Sequence, residues 1–440
     1  MATAEKVCII GAGSSGIAAA QVLDARGVAF DCFEKGSQVG GNWRYENDNG
    51  MSSAYRSLHI NTSRRVMAFK TLPMPDHYPD YPDHFQMAAY FDEYVDHFGL
   101  RPKISFRTEV MNAEPVEGEW EVTTENAEGK REARRYRAVV VANGHHWDPR
   151  WPEPAFPGSD QFSGEQIHVH HYREPDVLPG KRVVVLGIGN SACDVAVESS
   201  RIADDTFIAM RRGAYVIPKY INGKPIDELS NPITAMAPIS VQRFFAARAL
   251  GVAAGNMTTY GLPKPDHKLF EAHPTVSSEL LPRLGHGDIK VKPNIDRFSG
   301  GRTVRFADGS EEEIDLVVYC TGYKITFPFF DPEVIAAPDN KLPLYRRVVP
   351  VDRPGVYFIG FIQPLGPIMP LAEAQSEWVA DLLGGRAKLP AVAEMRTDIA
   401  EEEANMQKRY VASKRHTVEV DFHPYLREIR RERKQAAQRV

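Results

Sequence analysis

Short apolar runs that stop at glycines are the main feature of the chain. The first run, Val7 to Ile10, passes through Gly11-Ala12-Gly13-Ser14-Ser15-Gly16 into an alanine-rich segment. This order predicts a strand, a tight turn and a helix. The first glycine permits the turn, the second admits a pyrophosphate, and the third lets the helix pack close to the strand. The next run ends at Glu34, where a carboxylate can accept hydrogen bonds from a ribose 2′-hydroxyl. We therefore predict a dinucleotide-binding unit here.

A second loop of the same kind follows the apolar run that ends at Leu186. It reads Gly187-Ile188-Gly189-Asn190-Ser191-Ala192, and Ala192 is small enough to replace the third glycine. The strand after this helix ends in Arg211 and Arg212 and not in an acid. Because arginine suits a 2′-phosphate, the unit should prefer NADPH to NADH. The alternative is that the arginines are only a basic pair on the surface.

Other segments of the chain carry a regular pattern of a different kind. Alternating segments predict a small antiparallel sheet of strands at 104–110, 119–124 and 130–136, and apolar residues at helical spacing predict a core-packed helix between Met87 and Phe98. The charged segment 427–440 indicates a solvated helix. The segment 215–288 shows no clear nucleotide-binding pattern, apart from one plausible helix at 241–254.

Composition and charge limit the class of protein. The 440 residues are too many for one core, and the net charge of −5 includes no basic domain that would bind nucleic acid. No apolar run reaches the roughly 18 residues that span a membrane. Because an apolar strand begins at Val7, we expect no signal peptide, and the four cysteines form no C-x-x-C pair. We expect a cytoplasmic protein with free thiols.

The stretch between the two loops resembles a known family. Residues 162–172 match F-x-G-x-x-x-H-x-x-x-Y/F at every fixed position, with His168 and Tyr172 in the last two. Together with the glycine loops, the G-G-x-W at Gly40, the Asn61-Thr62 pair and the C-T-G-Y at Cys320, this motif resembles the flavin-containing monooxygenases. Three histidines lie within this stretch, but no cysteine or carboxylate completes a tetrahedral set, so we expect no metal.

The resemblance implies an α/β fold with two Rossmann-like dinucleotide-binding domains, one for FAD and one for NADPH. The small antiparallel sheet then belongs to the FAD domain. We expect a discontinuous FAD-binding domain at 1–175 and 325–440. The NADPH-binding domain is expected at 176–324, with an insertion at about 215–288.

The resemblance also implies roles for individual residues. Asn61 corresponds to the family's active-site asparagine beside the flavin. The residues implied to contact FAD are Gly11, Gly13, Ser14, Ser15, Gly16, Glu34, Asn42, Trp43 and Thr62. Those implied to contact NADP are Ser191, Ala192, Asp194 and one of Arg211 and Arg212. Further cofactor-binding residues are Lys35, Gly41, Gly187, Gly189, Asn190, Thr321 and Gln363.

The implied reaction forms a C4a-hydroperoxyflavin from NADPH and O₂ and oxygenates a soft nucleophile, an amine nitrogen or a thioether sulfur of a small molecule. Two alternatives stay open. One is Baeyer–Villiger oxygenation of ketones, although those enzymes usually carry Trp where Tyr172 stands. The other is an NADPH oxidase or flavin-carrying protein without a dedicated substrate. We expect no nucleic-acid or membrane partner. The physiological substrate and the oligomeric state remain open, and a homodimer is one alternative.

Overall fold

The computed structural model describes residues 4–231, 234–410 and 417–440, and the chain divides into two compact units. The first unit contains Met1–Ala54, Thr62–Asp148 and Lys324–Val440, and the second contains Tyr55–Asn61 and Pro149–Tyr323. Residues 232 and 233 of the predicted insertion lie outside the described residues.

A parallel sheet of five strands forms the centre of the first unit. Its strands, from one edge to the other, are Val356–Phe358, Ala138–Val141, Val7–Ile10, Phe30–Phe33 and Ile104–Ser105. In the register, Ile10 pairs with both Phe33 and Val141. The central strands are apolar along their whole length because both faces of the sheet are covered.

Helices and smaller sheets complete the first unit. Its α-helices are Ser14–Ala25, Arg64–Met67, His84–His97, Met369–Leu383, Val392–Arg409 and Phe422–Gln438. An antiparallel sheet consists of Thr108–Val116, Glu119–Asn126 and Arg131–Tyr136, and a parallel pair consists of Gln363–Leu365 and Glu419–Asp421. In the helix His84–His97, an Asp83–Gln86 capping box fixes the start, and Tyr90, Phe91 and Tyr94 are buried.

The second unit has a parallel five-stranded sheet of its own. The strand order is Lys290–Pro293, Asp205–Met210, Arg182–Leu186, Leu316–Tyr319 and Glu165–His168. Its α-helices are Asn190–Ile202, Ile239–Ala254 and Leu280–His286. After the strand Lys290–Pro293, the chain forms an antiparallel sheet of three strands, Ile295–Gly300, Thr303–Phe306 and Glu311–Glu313.

The segment 215–288 contains short elements around one longer helix. The helix predicted at 241–254 is present as Ile239–Ala254. The strands Val216–Ile217 and Thr275–Val276 pair in parallel, and Tyr220–Ile221 pairs with Lys224–Pro225. No helix within the described ranges has both the length and the apolar character that a membrane crossing requires.

The predicted fold class is confirmed, but the division of the chain differs from the predicted boundary. The second unit begins at Pro149, well before the predicted 175/176, because Glu165–His168 pairs with Leu316–Tyr319. The chain returns to the first unit at Lys324, one residue before the predicted 325. The segment Tyr55–Asn61 also belongs to the second unit, which no local pattern predicted.

Close approach of backbone to backbone explains two glycines of the first loop. Gly11 has a φ of +96°, and a Cβ there would lie 2.8 Å from the carbonyl oxygen of Ala142. At Gly16 a Cβ would lie 1.9 Å from the carbonyl oxygen of Gly11. The helix therefore packs against its own loop at a distance that only glycine permits.

We expect Gly16→Ala to disturb this contact, because the obstructing atom is backbone and cannot rotate away. Overpacking of this kind costs roughly 1–3 kcal/mol, and the loop should also bind less of the FAD that the family resemblance implies. Thermal unfolding and flavin content measure both effects. Gly251→Ala is the control, since a Cβ there meets no described atom within 4 Å. Equal stability of the two variants would contradict the expectation.

Candidate active site

The first glycine loop leads directly into a helix without a side-chain cap. Gly13 is the N-cap of Ser14–Ala25, no side chain within the described ranges bonds to its free N–H groups, and the first turn has no acid. Gly11, Gly13, Ser14 and Ser15 are half-buried, so their backbone remains reachable. These N–H groups and the positive end of the helix dipole suit a phosphate group. The loop therefore fits a dinucleotide.

The Glu34 carboxylate joins this loop to the segment that follows the second strand. Its Oε2 accepts from the Ala12 N–H at 2.8 Å, and its Oε1 accepts from the Gly36 N–H at 2.8 Å and from Asn49 Nδ2 at 3.2 Å. The residue is only 4% exposed. Glu34 therefore shapes the loop. Oε1 is filled by its two donors, while Oε2 accepts only one bond and keeps a lone pair for a ribose hydroxyl.

The second glycine pair packs against the first loop. The N–H of Gly40 donates to the carbonyl oxygen of Ala12 at 3.0 Å, and a Cβ at Gly41 would lie 3.1 Å from the Cα of Gly13. Asn42 Oδ1 accepts from both the N–H and the hydroxyl of Ser53, which leaves its Nδ2 for a ligand. Trp43 ends this short helical turn and is half-buried.

Three other predicted residues have different surroundings. Lys35 is exposed, and its Nζ lies 2.9 Å from Oε1 of Glu109 in a surface ion pair. The Thr321 hydroxyl donates to the carbonyl oxygen of Arg150. The backbone of Gln363 bonds to Val418, and its half-buried carboxamide has no partner within the described part of the chain. Of the three, only Gln363 has a side chain that is free for a ligand.

The second glycine loop repeats the geometry of the first. Gly187 has a φ of +137°, and a Cβ there would lie 2.8 Å from the carbonyl oxygen of Cys320. Gly189 is the N-cap of Asn190–Ile202, again with no side-chain cap from a described residue. Ala192 is completely buried, which agrees with close packing of this helix. The Asn190 carboxamide oxygen accepts from the N–H of Val276, and Ser191 is half-buried.

The two arginines after the strand Asp205–Met210 have different surroundings. Both are exposed, but Arg212 Nε lies 3.2 Å from Oδ2 of Asp266. Arg211 makes no ion pair with any residue that the structure describes. Arg211 is therefore the better candidate for a 2′-phosphate, because its guanidinium is not already engaged.

Asp194, predicted to contact NADP, has an internal partner. Its Oδ2 accepts from the Tyr55 hydroxyl at 2.5 Å. Burial raises the pKa of Asp194 to about 6, although the bond from Tyr55 and the charge of Lys219 act in the opposite direction. Sequence reasoning missed Tyr55 and Lys219, because each lies far from Asp194 along the chain and neither belongs to a motif.

Asn61 is the last residue of Tyr55–Asn61, the segment that belongs to the second unit. The residue is half-buried, and its carboxamide has no hydrogen-bond partner among the described residues. Ile60, just before it, is completely buried, and its carbonyl oxygen accepts from Lys219 Nζ at 3.3 Å. Thr62, which follows, is also buried. Asn61 thus follows a residue that is held by burial and by Lys219, while its own carboxamide remains available to a ligand.

Comparison with known proteins identifies the family. The family described as "Flavin-binding monooxygenase-like" matches residues 4–436. The chain belongs to this family. Among its relatives, Flavin-containing monooxygenase 5 of Oryctolagus cuniculus is 38% identical over 441 residues, covering 97% of this chain and 82% of the relative. Flavin-containing monooxygenase 3 of Homo sapiens is 33% identical with the same coverage.

Solved structures of other proteins share the fold of this monooxygenase. The S-allyl-L-cysteine S-oxygenase from Allium sativum has a TM-score of 0.74 at 26% identity, covering 98% of this chain and 88% of that protein. The closed form of cyclohexanone monooxygenase has a TM-score of 0.72 at 20% identity, covering 99% and 98%, and shows the fold alone. The protein is therefore a flavin-dependent monooxygenase that uses FAD and NADPH.

For this monooxygenase we expect Glu34→Ala to lose flavin. Each lost hydrogen bond to a carboxylate contributes roughly 1.5–3 kcal/mol, and the Ala12 and Gly36 N–H groups would be left without their partner. Flavin per chain after purification measures the effect.

Glu109→Ala is the control for this substitution. It removes another carboxylate, whose solvent-accessible ion pair with Lys35 contributes at most about 1 kcal/mol. Full flavin content in the Glu34 variant, or equal loss in both variants, would contradict the role assigned to Glu34.

Proposed function

We propose that this monooxygenase oxygenates an amine nitrogen or a thioether sulfur of small molecules. Bound FAD, reduced by NADPH, would supply the activation of O₂ as the C4a-hydroperoxyflavin. One oxygen atom goes to the substrate and the other leaves as water, with two electrons from NADPH. The observation that carries the proposal is the half-buried Asn61 carboxamide, which no described residue engages.

The two glycine loops supply the proposed cofactor sites. In the first unit, the uncapped helix start, Glu34, Asn42 Nδ2 and Gln363 are proposed to hold FAD. In the second unit, the uncapped start of Asn190–Ile202 is proposed to hold the NADPH pyrophosphate, with Arg211 on the 2′-phosphate. The fit of both sites rests on free backbone N–H groups next to close glycine contacts.

An amide is suited to the task proposed for Asn61. Its Nδ2 donates, its Oδ1 accepts, and neither changes protonation across the working range of pH. Oxygen transfer to a soft nucleophile needs no strong base from the protein. The protein must exclude water and hold hydrogen bonds around the reacting oxygen, since water entry favours release of H₂O₂. The similarity to a plant S-oxygenase at 26% identity supports the choice of sulfur as one acceptor.

Baeyer–Villiger oxygenation is the second candidate, because a cation lies close to the active-site segment. Lys219 Nζ contacts the carbonyl oxygen of Ile60, the residue before Asn61. That chemistry uses a deprotonated peroxide and normally a cation beside it. The Lys219 ammonium is, however, already engaged by the carbonyl oxygen of Ile60 and attracted by Asp194 and Glu279. Nitrogen or sulfur oxygenation therefore remains the first choice.

Product analysis distinguishes these reactions. NADPH-reduced enzyme is mixed with O₂ and then with trimethylamine, methyl phenyl sulfide or cyclohexanone in separate reactions. We expect N-oxide or sulfoxide in a ratio near one per NADPH oxidised. Lactone as the main product would favour the second candidate. H₂O₂ as the main output with all three would indicate an oxidase and contradict the proposal.

We expect Asn61→Leu to separate cofactor binding from oxygenation. Flavin content and flavin reduction by NADPH should stay close to the unaltered enzyme, because the amide has no partner within the described protein. Product per NADPH should fall about tenfold or more, with H₂O₂ making up the difference. Unchanged coupling in a variant with full flavin would remove Asn61 from the mechanism.

Arg211→Ala and Arg212→Ala form a matched pair for coenzyme choice. We expect the KM for NADPH to rise about 10- to 100-fold in the Arg211 variant, because a charge-assisted bond to phosphate is lost. The KM for NADH should change little. The Arg212 variant should show the smaller effect, since that side chain is paired with Asp266. Equal weakening of both coenzymes would mean that Arg211 is structural.

A further inference from the structure

The segment Tyr55–Asn61, here called the Asn61 segment, is held at both ends by side chains of the second unit. At its start, the Tyr55 hydroxyl donates to Asp194, and the N–H of Arg56 donates to the carbonyl oxygen of Arg173 at 2.9 Å. At its end, Lys219 donates to the carbonyl oxygen of Ile60. The chain on either side of the segment belongs to the first unit. The position of Asn61 thus depends on the second unit.

The anchor at the start lies on the helix that follows the second glycine loop. Asp194 and Glu198 are one turn apart on Asn190–Ile202 and so share a face. Asp194 accepts from Tyr55, while Glu198 accepts from the Tyr172 hydroxyl at 2.5 Å. The Tyr55 and Tyr172 rings are buried with centroids 6.1 Å apart. The helix face therefore accepts two similar hydrogen bonds, one from each tyrosine hydroxyl. Only one of the donors, Tyr55, belongs to the Asn61 segment.

The anchor at the end carries a charge that the same helix compensates. Lys219 comes from the chain that leaves Val216–Ile217, and its ammonium is attracted by both Asp194 and Glu279. Asp194 therefore serves both anchors: it accepts from Tyr55 directly and balances the charge of Lys219. A half-buried cation without such compensation would be costly.

We propose that Tyr55 and Lys219 are positioning residues, which fix the Asn61 amide to the helix that starts at the second glycine loop. This rests on the proposed role of Asn61 in oxygenation. The same helix would then hold the NADP pyrophosphate at its first turn and the Asn61 segment one turn later. The coenzyme and the catalytic amide consequently share one rigid support. Loosening either anchor frees the amide without removing any group that touches a cofactor.

Tyr55→Phe and Lys219→Met test the two anchors separately. Each keeps the bulk of its side chain. Tyr55→Phe removes the hydroxyl that donates to Asp194, and Lys219→Met removes the ammonium with its bond to Ile60 and its charge beside Asp194. Tyr172→Phe is the matched control, because it also removes a hydroxyl from a buried tyrosine that donates to this helix face. Phenylalanine at 172 also satisfies the linker motif. Flavin content and the rate of flavin reduction by NADPH are recorded for every variant.

The first readout is hydrogen exchange, which is independent of activity. We expect the backbone amide of Leu58, which donates to the carbonyl oxygen of Tyr55, to exchange roughly tenfold faster in the Tyr55 and Lys219 variants. The Arg56 amide is left out of the comparison, because its acceptor Arg173 adjoins the control residue Tyr172. The second readout is sulfoxide formed per NADPH oxidised, which should fall about threefold or more in the same variants. The Tyr172 control should resemble the unaltered enzyme in both. Lys219→Arg should restore much of the coupling.

Two results would overturn the proposal. One is exchange within the Asn61 segment that stays unchanged in the Tyr55 and Lys219 variants. The other is faster exchange with unaltered coupling, which would show that the anchors do not position the amide. If Tyr55→Phe fails to fold, Lys219→Met decides alone. Absence of sulfoxide and N-oxide from the unaltered enzyme would instead contradict the proposed function, while the exchange result would still show whether the anchors hold the segment.

Discussion

The start of each helix after a glycine loop has free backbone N–H groups, and this constraint organises both units. In neither case does a described side chain cap the helix, and neither first turn contains an acid. Such N–H groups need a partner, and a phosphate supplies one. The close glycine contacts hold these loops in place, because a Cβ at Gly11, Gly16 or Gly187 would meet a backbone carbonyl oxygen of the protein. Glu34 and Arg211 then stand at the ends of the adjacent strands, where a ribose is expected.

Features that depend on a local pattern were predictable from the sequence. The strand Val7–Ile10 and the helix Ser14–Ala25 follow from the order of an apolar run, a glycine loop and an alanine-rich segment. The antiparallel sheet follows from alternation, as the buried Trp120 and Val122 of its central strand illustrate. Ala192 in place of glycine was correctly expected to pack tightly. In each case the residues that decide the structure lie within a few positions of one another.

Features that depend on distant partners were not predictable. The charged segment 427–440 was expected to be a solvated helix, yet the helix Phe422–Gln438 buries Ile429 and Ala436 there, and Arg433 pairs with Asp381. Nothing in the sequence distinguished Arg211 from Arg212 either, because the distinguishing partner, Asp266, is remote in the chain. A hydrogen-bond or ion-pair partner more than fifty residues away leaves no trace in the periodicity of either segment.

The arrangement of the two units along the chain has a consequence for the order of folding. The edge strand Val356–Phe358 pairs with Ala138–Val141, so the first sheet is complete only after the whole second unit has been synthesised. The second sheet takes all its strands from 165–319, a continuous stretch. During synthesis, the second sheet can therefore close while the first still exposes an unpaired edge. Pairing across so many residues is slow, and the open edge is the part of the nascent chain most exposed to aggregation.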